Sequence, residues 1–138
     1  MRRIRIFLIL CVIATGFCFG QLPHTFTQYT SEDGLSQNTI MSILQDDKGV
    51  MWFATWDGLY KFDGYTFNNY KAHPGDSIGL SNNRLDNIKE DRYGYIWVQS
   101  YNHQVYRFNP RLERFQAIPY DNYLSLDMYV LPCGDVWI

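Results

Sequence analysis

Between Asn38 and Lys71, short runs in which apolar and polar residues alternate, "NTIMSILQ", "VMWFATW", "GLYKFD" and "YTFNNYK", are broken by "DDKG", "WDG" and "DG". Alternation of period two puts successive side chains on opposite faces of a strand, so each run reads as a strand with one face to bury. The pattern predicts strands over about 38–45, 50–56, 58–63 and 65–71. The breaks hold residues that turn a chain for a physical reason. Gly49, Gly58 and Gly64 take positive φ without steric penalty, and aspartate bonds its own backbone. Connections this short join antiparallel neighbours only, which gives a four-stranded meander.

The same pattern is written again. "DDKGVMWFAT" starts at Asp46 and "DRYGYIWVQS" at Asp91, forty-five positions later. In that register Gly34 pairs with Gly79, Leu35 with Leu80, Ser36 with Ser81, Asn38 with Asn83, Ile43 with Ile88, Gly49 with Gly94 and Trp52 with Trp97. After one inserted residue, "LYKFD" at 59–63 pairs with "VYRFN" at 105–109. A third copy begins with "PCGDVWI", where Gly134 and Trp137 stand forty positions after Gly94 and Trp97, with Leu131 in place of the acid. "FTQYT" at 26–30 resembles "FNNYK" at 67–71, so the tail of a preceding copy is also expected.

Four strands in a period of about 40–45 residues mark a β-propeller blade. The expected fold is all-β: four-stranded antiparallel blades in an incomplete ring, since a closed ring commonly takes about four to eight of them. In each copy the acid closes a turn by accepting backbone N–H bonds, the glycine supplies the turn's backbone angle, and the tryptophan lands on the next strand facing the neighbouring blade. Trp52 and Trp97 are expected to act alike, as packing wedges between units that each need a neighbour. The boundaries that follow are an outer strand at 21–33 belonging to a blade completed elsewhere, full blades at 34–73 and 74–119, and a truncated blade at 120–138.

Composition agrees with this picture and adds an address. Of 138 residues, 46% are hydrophobic and 17% aromatic, a profile that packs and that suits pleated surfaces. Residues 1–20 differ: "MRRIR" carries three arginines and no acid, followed by the apolar run "IFLILCVIATGFCF" and small residues at Cys18 and Gly20. That is the layout of a secretory signal peptide cleaved near Gly20, its apolar stretch being short of the ~20 residues a spanning helix needs. Removing three of the twelve basic residues leaves nine against fourteen acids, which argues against nucleic acid as a partner. Cys133 then remains as a lone cysteine, with no internal disulfide to form in the oxidising compartment this implies.

With these residues in view, "DGLSQNTIMSILQDDKGVMWFATWDGLYKFDG" resembles the repeat of the two-component regulator propellers, from the periplasmic sensor region of hybrid two-component systems of Bacteroidetes. The resemblance covers roughly residues 26–138. The second copy departs from it where "WDGLYKFDG" becomes "NHQVYRFNP", and the third at Leu131. It implies a longer protein: a signal peptide, two seven-bladed propellers, an immunoglobulin-like domain, one membrane span, a histidine kinase, a receiver and a DNA-binding domain. It also implies an oligosaccharide ligand derived from glycans, a homodimer in the full-length sensor, and the remaining propeller blades of the same chain as partners of this segment. No cofactor is implied.

Catalytic readings find little support in the residues. "DKGVMW" at 47–52 also fits the aspartate-box turn of sialidase-like propellers, but the second copy has Arg92 where that aspartate would stand, and a shared turn carries no chemistry. A glycosidase needs two convergent carboxylates, whereas Asp46, Asp57, Asp63, Glu90 and Asp91 read as turn or solvent-facing residues. His24, His73 and His103 sit beside proline or asparagine without ligand spacing, and Ser36 and Ser81 repeat with the fold without a partner base, so neither metal binding nor a nucleophile is expected. Trp56, Tyr60, Tyr101 and Tyr106 could stack on sugar rings, with packing between blades the favoured role. A purely structural protein-interaction scaffold is the remaining alternative to a sensor or an enzyme.

Overall fold

The computed structural model describes residues 25–73, 75, 79–119, 127–131 and 133–137. The expected signal peptide, His24 and residues 120–126 lie outside them. Two four-stranded sheets dominate. The first is ordered β1 (Ile40–Gln45), β2 (Met51–Thr55), β3 (Gly58–Phe62), β4 (Phe67–Tyr70). The second is ordered β5 (Leu85–Glu90), β6 (Ile96–Ser100), β7 (Val105–Asn109), β8 (Arg114–Ala117). All neighbours pair antiparallel in sequence order, as turns of this length require. A short third sheet joins β9 (Tyr129–Val130) to β10 (Val136–Trp137).

The duplication extends to a detail that sequence does not announce. The ladder of β1 against β2 slips between Ile40 and Ser42, and that of β5 against β6 between Leu85 and Asn87, the equivalent place. A bulge kinks its strand and increases local twist, so both blades bend alike.

The two sheets stack face to face, with β1 and β2 lying against β5. Between them lies one apolar cluster formed by Trp52, Ala54 and Leu59 of the first sheet with Leu85, Ile88, Ile96, Val98, Tyr106, Phe108 and Phe115 of the second, together with Leu80. Trp52 is the wedge: its ring meets Phe108 edge-on at 5.6 Å, and Tyr70 closes over the same Phe108 at 4.8 Å. The opposite face of the first sheet is less covered. Tyr29, Phe53, Phe62 and Phe67 pack on one another there, while Met41 and Ile43 remain 48% and 58% exposed.

Two local features depart from a uniform repeat. Trp52 and Trp97 are not equivalent, since Trp52 is 1% exposed and Trp97 only partly buried, with Trp137 67% exposed. A wedge is buried by the next sheet; Trp52 has all of β5–β8 against its blade, and only the two-stranded β9–β10 unit is described beyond Trp97. Second, residues 25–30 form no strand, and Ser31–Asp33 is a 3-10 turn. A strand exists through its ladder, and no described residue pairs with this segment. The turn is fastened locally instead: the Thr30 hydroxyl accepts the Glu32 N–H, and the Asp33 carboxylate accepts the Thr30 N–H at 2.7 Å, a capping box.

Candidate functional site

The repeated acid does two tasks with one carboxylate. Asp46 Oδ1 accepts the N–H groups of Lys48 and Val50 at 3.0 and 2.8 Å, while Oδ2 accepts the Trp52 indole N–H at 2.9 Å. Asp91 does the same for Tyr93, Tyr95 and Trp97 at 2.9, 3.1 and 2.8 Å. The turn closes over Gly49 and Gly94, at φ 82° and 79°. The second task was invisible in the spacing, because that the carboxylate reaches back across the hairpin to the indole depends on the register of the strands. Asp91 is buried, 6% exposed, and holds its turn as a bonded interior group. Where Leu131 replaces the acid, the backbone bonds survive, with Leu131 N–H to Asp135 O and Gly134 N–H to Leu131 O both at 2.8 Å, and Trp137 has no carboxylate at the corresponding place. The acid at the aspartate-box position, Asp47, instead gives its backbone N–H to Glu90 Oε2 at 3.0 Å, a bond from the first blade to the second. Burial beside Asp47 and Asp46 pushes the Glu90 carboxyl above its ordinary range, although the Asp47 N–H opposes that shift.

On the face where β2 turns into β3 and β6 into β7, the remaining signature residues tie loops to strands. Gly34 ends the 3-10 turn at φ 102°, and Leu35 and Leu80 are buried at 6% and 2%. Gly79 opens the second copy of that segment. The Ser36 hydroxyl bonds the Tyr60 hydroxyl, and Ser81 bonds that of Tyr106 at 2.6 Å. Asn83 reaches back to the first blade: its carbonyl accepts the Gly58 N–H at 2.8 Å, and its Oδ1 accepts the Ala72 N–H at 2.6 Å. Asn38, its equivalent, is exposed.

Around Asp57 this network becomes polar and charged. Its Oδ2 accepts from Lys71 Nζ at 2.6 Å, Ser36 Oγ at 2.9 Å and Tyr60 Oη at 3.3 Å. Burial pulls the Asp57 carboxyl upward, but the bonds from Lys71 and Ser36 outweigh it and hold the group below its ordinary range. The Asp57 bond correspondingly raises Lys71. A carboxylate lowered on folding stabilises above its unfolded pKa and loses that contribution as pH falls through the folded value. A raised lysine contributes below its unfolded pKa and loses it as pH rises through the folded one. The wild-type melting temperature should therefore fall as pH drops below the ordinary 3.8 of Asp57. Asp57→Asn should flatten that acid limb in a thermal scan across pH, and an unchanged limb would contradict the linkage.

The aromatic residues separate into two classes that sequence grouping had merged. Tyr60 and Tyr106 are buried inside strands, 0% and 1% exposed, while Trp56 and Tyr101 stand in turns at 42% and 55%. Position in a turn and not in a strand was the signal that could have divided them. Among the described residues no group of three His, Cys, Asp or Glu side chains gathers as metal ligands. His73 is exposed, and Cys133 is a free, exposed thiol.

A meandering four-stranded unit that repeats, stacks face to face and seats an indole between its copies defines a β-propeller segment. Comparison with known proteins shows what this segment resembles. Residues 34–57 match the sequence model of the two component regulator propeller. The fold superposes, at a TM-score of 0.65 and 29% identity, on the extracellular domain of a chain described as the hybrid two component system BT3049 from B. thetaiotaomicron. A segment of 56 residues is 48% identical to Histidine kinase P4 of Formosa agariphila. The chain thus carries a repeat of the two component regulator propeller type at residues 34–57 and resembles part of the extracellular domain of a hybrid two component system. The likeness covers 77% of this chain and 16% of the BT3049 domain, and 41% of this chain and 4% of the kinase, so the chain corresponds to a small part of much longer relatives.

Proposed function

We propose that this chain is the amino-terminal part of an exported propeller sensor, binding and not catalytic, that recognises a glycan-derived oligosaccharide and signals to a histidine kinase outside these residues. One observation carries the non-catalytic reading. The repeated carboxylates are spent on architecture: Asp46 and Asp91 each hold a turn and an indole, and Asp57 is held by Lys71 and Ser36. A hydrolase would need two carboxylates converging on one bond. The likeness to an extracellular domain of a two-component system supports the sensor role and a periplasmic address. Residues 1–20 then serve as the export signal, 21–33 as an outer strand of a blade closed from elsewhere, 34–73 and 74–119 as two blades, and 120–138 as the opening of a third. The exposed Met41 and Ile43 on the face turned away from the second sheet suit burial against a further blade of the same protein, and the complete sensor acts as a homodimer.

Calorimetric titration of the complete protein with a panel of oligosaccharides is expected to give heat and a rise in melting temperature for at least one of them. No heat and no shift across the panel would end the glycan assignment.

A further inference from the structure

Three chain segments meet where the blades adjoin. The β2–β3 turn brings Trp56, the segment entering β5 brings Arg84, and the β6–β7 turn brings Tyr101. The Arg84 guanidinium carbon lies 4.4 Å from the Trp56 ring centroid and 4.2 Å from that of Tyr101. A position over two rings suits a guanidinium, which is weakly hydrated and delocalised. The backbone around it is fastened on both sides, by Tyr101 N–H to Arg84 O and Gly58 N–H to Asn83 O, each at 2.8 Å. The platform is therefore rigid, yet both rings keep about half their surface in solvent, 42% and 55%.

Part of the arginine's hydrogen-bonding capacity is unspent. Its Nε is buried with no partner, and no carboxylate among the described residues pairs with it. Of the other cations, Lys71 bonds Asp57, Arg92 the Cys133 carbonyl and Arg107 Gln116, while Lys48, Lys89, Arg111 and Arg114 are exposed to solvent, unlike the half-buried Arg84. In a protein with more acids than bases, an arginine fixed in place with no acceptor calls for one.

Nor does the blade need it. Arg84 is the counterpart of Thr39 in the first copy. Both loops close identically, Thr39 N–H on Gln37 Oε1 at 3.2 Å and Arg84 N–H on Asn82 Oδ1 at 2.9 Å. The repeat folds with threonine at this position, so the charge is an addition to the architecture.

We propose that Arg84, held between Trp56 and Tyr101, is the anion-recognising group of a saccharide site and takes a sugar bearing a carboxylate or a sulfate. The inference rests on the glycan reading above and narrows its ligand class. A guanidinium fork matches two oxygens of either anion, and the exposed ring faces of Trp56 and Tyr101 offer surfaces for the apolar faces of adjoining sugar rings.

The test is titration of the complete protein with three probe sets: neutral oligosaccharides, uronate oligosaccharides, and sulfated oligosaccharides without uronate. At least one acidic set should bind, and which one distinguishes carboxylate from sulfate. Arg84→Gln should weaken that binding roughly 10- to 100-fold, the scale of charge-assisted hydrogen bonds. Arg84→Lys, which keeps the charge and loses the fork, should fall between and provides a second variant if the first folds poorly. Binding of neutral oligosaccharides only, or acidic binding unmoved by both variants, would overturn this site and leave the sensor reading standing. Absence of binding by all three sets would overturn both.

Discussion

Trp52→Ala is expected to destabilise the protein by about 3–5 kcal/mol, the range for removing a fully buried large aromatic. The ring is 1% exposed between the two sheets, in edge contact with Phe108 and beside Tyr70. Its indole N–H also satisfies Asp46 Oδ2, so truncation leaves both a cavity and a carboxylate oxygen short of a donor. Trp97→Ala removes the same indole-to-carboxylate bond at Asp91 from a ring that is only partly buried, and should cost clearly less. Urea unfolding of the two variants compares them directly, since the midpoint shift reports the stability lost. Equal losses would mean that the indole–carboxylate bond, shared by both, and not burial between blades, sets the worth of the motif.

Gly58→Ala should be nearly as damaging, for a different reason. Gly58 has φ 110°, and a Cβ there would stand 2.5 Å from the Tyr70 carbonyl oxygen and 2.8 Å from Asn69 Oδ1. The first of these is backbone of the adjoining strand and cannot swing away. The left-handed conformation costs an L-residue roughly 1–2 kcal/mol, and overpacking adds roughly 1–3 kcal/mol. Gly64 supplies the internal control: its φ is 100°, yet nothing lies within 4 Å of the added carbon. Gly64→Ala should therefore show the conformational cost without the clash. If thermal denaturation gave the two alanine variants the same loss, close approach of β3 to β4 would not be what requires glycine at position 58. The Gly58 N–H also donates to Asn83 O, so a shift to relieve the clash would strain the junction between blades as well.

Much of the blade was readable in advance because its chemistry is local. Strands expected over about 38–45, 50–56, 58–63 and 65–71 are observed at Ile40–Gln45, Met51–Thr55, Gly58–Phe62 and Phe67–Tyr70. Alternation, turn glycines and the acid three residues before each glycine act within a few residues of one another, so a single sequence carries them. The interactions between blades were not readable. Asp47 to Glu90, Ala72 to Asn83 and Arg84 between Trp56 and Tyr101 each join positions whose nearness depends on how one sheet is placed on the next.

Strand order, the recurring turn and the identity of the unit follow from residue order by itself, because period-two alternation and Asx turns need only neighbours along the chain. Which indole becomes a wedge and which stays half in solvent, why Tyr60 is interior while Trp56 is not, and where an arginine is left without an acceptor were decided by the stacking of β1–β4 on β5–β8. Burial is a property of what lies opposite a side chain, and in this protein the surface opposite belongs to a neighbouring blade.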